Sequence, residues 1–94
     1  MTIYVDALRD NGWVLRGRRV QNCHMYTDGP VDELHAMADR IGMRRSWFQA
    51  DDARLPHYDL TPSRRAAALL NGAVEATSRD VWEQMKRNRA KVSA

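Results

Sequence analysis

The sequence predicts a small single α/β domain: an open, mostly parallel sheet of three or four strands with about three helices packed on it. Three observations lead there. Runs rich in β-branched and aromatic residues alternate with amphipathic stretches, and each amphipathic stretch opens on a Ser, Thr or Asp or on a proline. Glycine and asparagine punctuate the joins. Finally, 94 residues with 44% apolar and 29% charged side chains suffice for one core and lie outside the composition of disordered chains. Residues 1–88 read as the domain and residues 89–94 as a basic, frayed tail.

Thr2-Ile3-Tyr4-Val5-Asp6 has the β-branched and aromatic content of a central strand covered on both faces. Arg9 to Gly12 and Leu15 to Arg18 read as turns, with the Trp13 segment between them a short strand or an ordered loop. Val20 to Tyr26 is the next strand. Thr27-Asp28-Gly29-Pro30 then signals a helix start, and Val31, Leu34, Ala38 and Ile41 recur at helical spacing, so a helix is expected from about Pro30 to Ile41 with Gly42 as its left-handed cap. Ser46 to Gln49 reads as a short strand before the loop-like Ala50 to Arg54. Thr61-Pro62 opens a second helix that Asn71-Gly72 ends. Ala73 to Thr77 is a third strand candidate, and Ser78 caps a third helix with an apolar stripe of Val81, Trp82 and Met85, fraying from Lys86 onward.

Composition excludes several function classes. No stretch approaches the roughly 18 apolar residues that span a bilayer, and Met1 to Asp6 has neither a basic region nor a continuous apolar one, so no membrane partner and a cytoplasmic location are expected. Cys23 is the sole cysteine, which rules out an intrachain disulfide and a CxxC metal knuckle. The formal charge is +3, gathered in arginine clusters at Arg16, Arg18 and Arg19, at Arg44 and Arg45, and at Arg64 and Arg65, with Lys86, Arg87, Arg89 and Lys91 near the end. Such clusters suit phosphate, although a solvated basic surface is the simpler explanation. The P-loop, the GxGxxG fingerprint and the serine elbow are all missing.

The polar residues that carry chemistry are few. In a parallel sheet, ligands sit beyond the carboxyl ends of the strands, where Asp6, Tyr26 to Asp28, and Thr77-Ser78 would converge. Asp28 and Ser78 read also as N-caps. His35 falls on the flank of the first helix's apolar stripe, as a packed ring or as a base facing the strand ends. In an extended His57-Tyr58-Asp59, the outer two residues point one way and Tyr58 the other, and a carboxylate beside an imidazole orients a base or a metal ligand. His24, Asp28, His35, His57 and Asp59 offer donors enough for a divalent metal, but their spacing matches no established ligand motif, so no metal ligand is assigned. Cys23 reads as a small core residue.

A YVD strand (Tyr4-Val5-Asp6), His24 with Asp28, the helical Asp32 to Ala36, the triplet His57-Tyr58-Asp59, and Gly72-Ala73-Val74 followed by Ser78 resemble the uncharacterised bacterial and phage family called domain of unknown function 4031. The resemblance keeps residue order over nearly the whole chain. It departs around Trp47 to Pro56 and in the arginine-rich segment before Val20, and it implies no activity or cofactor.

Three functions compete. In the first, His24, His35, His57 and Asp59 act as catalytic groups around an anionic or phosphate-bearing small molecule, with Asp6, Asp28, Tyr58 and Arg64 binding it. In the second, the Arg pairs and the basic tail hold nucleic acid. In the third, Trp47-Phe48 are buried in a protein partner or a second copy of the chain.

Overall fold

The computed structural model describes residues 2–51 and 54–93, with the side chains of all of these except 51, 54 and 88–93. Its elements run β1 (Ile3–Val5), β2 (Val14–Leu15), β3 (Arg18–Arg19), β4 (Cys23–Thr27), α1 (Val31–Arg40), a 3-10 turn (Arg45–Trp47), β5 (Gln49–Asp51), β6 (Arg54–Leu60), α2 (Pro62–Leu70), β7 (Val74–Glu75) and α3 (Ser78–Ser93).

The sheet corrects the expectation of a mostly parallel one. Five strands lie in the order β5-β6-β4-β1-β7, and only β1 and β7 are parallel; β1–β4, β4–β6 and β5–β6 are all antiparallel. The reason lies in what a helix crossover dictates. A strand-helix-strand unit makes its two strands run the same way without making them neighbours. Here α1 joins β4 to β5, which share a direction but have β6 between them, and α2 joins β6 to β7, which share a direction but have β4 and β1 between them. The β1-to-β4 connection holds no helix, only the β2–β3 hairpin, and its strands are antiparallel.

Each local boundary has a visible cause. The hairpin turns at Arg16-Gly17, both with positive φ (53° and 76°), the pattern of a two-residue turn matched to strand twist. Thr61 caps α2 by accepting the Arg64 N–H at 3.3 Å, with Pro62 in the first turn. Gly42, at φ 79°, takes the left-handed position after α1. Two capping expectations are corrected. Pro30 occupies the N-cap of α1, and Asp28 instead accepts the Thr2 N–H (2.8 Å) and the Tyr4 hydroxyl (2.9 Å). Thr77, not Ser78, caps α3: its hydroxyl accepts the Asp80 N–H at 3.1 Å while the Asp80 carboxylate accepts the Thr77 N–H at 3.3 Å, a reciprocal capping box. α3 also continues past Lys86 to Ser93. Ser46 to Gln49 is mostly the 3-10 turn, and the strand expected there starts at Gln49. The middle of the loop read at Ala50 to Arg54 lies outside the described residues.

Alternation along the strands sorts side chains onto two faces. Ile3, Val5, Cys23, Met25, Tyr58 and Leu60 form the main core with Leu34, Met37 and Ala38 of α1 and Ala68 of α2. On the other face, Tyr26 and Leu55 pack with Val81 of α3 and leave the rest of that face open to form a cavity.

Candidate functional site

Register builds the site. His24 lies directly opposite Asp59 across the β4–β6 pair, and His57, two residues before Asp59, shares its face. Asp6, just past β1, extends the row on the other side of His24, its N–H donating to the His24 carbonyl at 3.2 Å. These four residues face α3. Gln49 joins them from β5, where it pairs with His57.

Every one of the three inner groups is held from behind. His24 Nδ1 bonds Asp6 Oδ2 at 2.8 Å, and the His24 backbone N–H donates to Asp6 Oδ1 at 2.6 Å. Burial pushes the Asp6 carboxyl up, but these His24 contacts outweigh it and hold it below the usual carboxylate range. An ionised Asp6 accepts only, so the His24 ring donates from Nδ1 and turns its Nε2 toward Asp59. His57 Nδ1 lies 2.8 Å from the Leu55 carbonyl oxygen, which also accepts only, so this ring too donates from Nδ1. Gln49 Nε2 donates to Asp59 Oδ2 at 2.6 Å, leaving Oδ1 toward the histidines.

The inner atoms then meet. His24 Nε2 is 3.7 Å and His57 Nε2 3.6 Å from Asp59 Oδ1, and one donor atom from each residue fits within 4.8 Å of the others. These separations are too long for hydrogen bonds. The two distances to Asp59 Oδ1 approach the roughly 3.4 Å between donors arranged tetrahedrally around an ion at 2.0–2.1 Å. His57 is 2% exposed, and its buried Nε2 has no hydrogen-bond partner among the described residues. Such a buried polar atom costs about 1–3 kcal/mol when left unmet. The group opens into a cavity of about 550 Å³ lined also by Asn11, Asn22, Tyr26, Ser78 and Trp82.

Of the residues singled out in the sequence, His24, His57, Asp59 and Asp6 come together. His35 and Tyr58 do not join them: Tyr58 faces α1, where its hydroxyl meets His35 Nδ1 at 2.6 Å, and Phe48 packs against the His35 ring at 4.7 Å between centroids. Asp28 lies at the other end of the sheet. Because β4 is antiparallel to β1, its carboxyl end sits beside the start of β1, with Ile3 opposite Thr27, and the strand-end argument that placed Asp28 near Asp6 fails. It holds for Ser78, since β7 is parallel to β1 and a smaller hollow joins Asp6, His24, Thr77 and Ser78. Arg64 lines a second cavity, on the far side of Asp59. Cys23 is buried, and burial followed by the nearby Asp6 charge pushes its thiol up to about 12, which leaves it no nucleophilic character.

Sequence reasoning did not find Gln49, Asn22 or the Leu55 carbonyl, and only for Gln49 is there a signal in retrospect: a polar residue opening a short strand. Of the paired aromatics, Phe48 packs internally while Trp47 stays 43% exposed. No helix among the described residues is long and apolar enough to cross a membrane. A model of the family described as "Protein of unknown function (DUF4031)" matches residues 3–88. No curated protein and no solved structure matches the chain.

Proposed function

The chain belongs to the DUF4031 family, and we propose that its His24, His57 and Asp59 hold a zinc-class divalent ion serving hydrolysis of an anionic, phosphate-bearing substrate. The observation that carries this reading is the buried, unpartnered His57 Nε2, aimed at the same space as Asp59 Oδ1 and His24 Nε2. Two imidazoles and one carboxylate, each oriented by an outer partner, leave at least one position open for water or substrate. An ion so held lowers the pKa of bound water toward 7 and draws charge from a phosphoryl oxygen. In the hydrolysis, water adds across the ester bond, its hydroxyl to phosphorus and its proton to the leaving oxygen.

The surroundings suit an anion. Ser78, in the first turn of the 16-residue α3, lines the cavity, placing that helix's positive end beside the ion. The single buried thiol fits a reducing cytoplasm. The test is hydrolysis of p-nitrophenyl phosphate by chelator-treated protein: activity returning with zinc or manganese in the wild type and absent in His57→Ala supports the reading. Turnover that survives chelation, or equal turnover in His57→Ala, overturns it.

A further inference from the structure

A second cavity lies against the first: Asp59 lines both, and Gln49, which bonds that carboxylate, lines the second, so the two cavities meet at the carboxylate. It measures about 530 Å³. Its walls include two indoles, Trp13 and Trp47, together with Leu15 and Met43. Its positive charge comes from Arg64, whose guanidinium lies 5.5 Å from the Trp47 ring centroid, with that of Arg44 5.8 Å from the same ring. Neither arginine pairs with a carboxylate among the described residues. The buried Nε of Arg64 has no hydrogen-bond partner there, and its terminal nitrogen reaches only the Gly42 carbonyl, at 3.4 Å. Arg65 is spent differently, on the Asp6 carbonyl at 2.9 Å and on Glu75.

We propose that this cavity is the substrate's recognition subsite and that the substrate is a nucleotide. Its base packs against the indole walls, and its phosphate lies between the Arg64 guanidinium and the ion at Asp59. This assignment rests on the metal reading above for the position of the phosphate, but not for the base. Three features of the cavity select a flat anion. Its volume suits a small molecule of nucleotide size. Tryptophan faces stack any base at the expense of little conformational entropy. An unpaired arginine beside those faces supplies the forked donors that phosphate takes. Ser46, also on the cavity wall, adds a hydroxyl for a ring edge or a ribose.

The experiment is equilibrium dialysis of the zinc-loaded chain against adenosine monophosphate, adenosine, inorganic phosphate and a short single-stranded oligonucleotide. The monophosphate is expected to bind at least tenfold tighter than either adenosine or phosphate. Arg64→Gln should remove most of that advantage, Arg64→Lys should restore part of it, and Trp47→Ala should reduce the monophosphate to the level of phosphate. Zinc affinity and melting temperature, measured on the same samples, should stay as in the wild type. Monophosphate binding no tighter than phosphate, or unaffected by Arg64→Gln and Trp47→Ala, overturns the subsite even if zinc binds. An oligonucleotide preferred over the monophosphate overturns the free nucleotide in favour of a strand. Binding that keeps its base and Arg64 dependence in a chain unable to bind zinc upholds the subsite and defeats the metal reading instead.

Discussion

His24 and Asp59 stand opposite each other across the β4–β6 pair with Nε2 and Oδ1 3.7 Å apart, a gap that neither a hydrogen bond nor close packing closes. Around that gap each side chain is fixed from its far side, by Asp6 and by Gln49. In the proposed function, that gap is the place of the ion.

The outer partners should therefore matter nearly as much as the ligands. Asp6→Asn retains an acceptor for the His24 N–H but removes the charge that fixes the ring's tautomer, and Gln49→Ala frees Asp59 to turn. Each substitution is expected to weaken zinc binding by about 10–100-fold, as loss of a group that orients a metal ligand typically does. Competition against a fluorescent zinc chelator measures it.

His35 tests the division of the molecule into two faces. His35→Ala removes the Tyr58 contact and the packing against Phe48, so we expect a loss of about 1–3 kcal/mol in urea unfolding. Zinc affinity should not change, because the sheet lies between this histidine and the proposed ion site. A parallel loss of zinc binding would mean that the histidines act together after all.

Much of this was legible in the sequence, and what was not has specific causes. Capped amphipathic runs marked all three helices, since helix starts depend on neighbours in the chain. Strand order depends on pairing between distant segments, so alternation of strand and helix set directions without revealing that β6 inserts beside β4. Pro56 and the acidic run before it disguised β6, the longest strand among the described residues. The two-residue spacing of His57 and Asp59 did reveal their shared face, but the pairing of His24 with Asp59 is a matter of register alone. His35 misled because helical periodicity identifies the buried flank of a helix and not the side of the sheet it covers.

The Tyr4–Asp28 bond at the opposite end of the sheet should show in alkaline unfolding. Burial first, then the hydrogen bond to Asp28, raises the Tyr4 phenol above its usual value. A raised folded-state pKa contributes stability that is full below about pH 10, the unfolded value, and is lost as pH rises through the folded one. Tyr4→Phe should accordingly cost about 1 kcal/mol at pH 7 and lose less stability than the wild type between pH 9 and pH 11 or so. Urea midpoints across that range decide it.

Arg16 is the only non-glycine residue with positive φ among those described, and it holds the first turn position of the β2–β3 hairpin. Asparagine tolerates that conformation better, and Asn-Gly is the favoured pair in such turns. Arg16→Asn should stabilise the chain by about 0.5–1 kcal/mol, seen as a higher melting temperature, with no effect on zinc affinity.

The most direct measurement of the central claim is calorimetric titration of zinc into chelator-treated wild type and His57→Ala. The account predicts saturation at one ion per chain in the wild type and affinity at least a hundredfold weaker in the variant, with both remaining folded by circular dichroism. Absence of saturable binding in the wild type, or equal affinity in the folded variant, would contradict it.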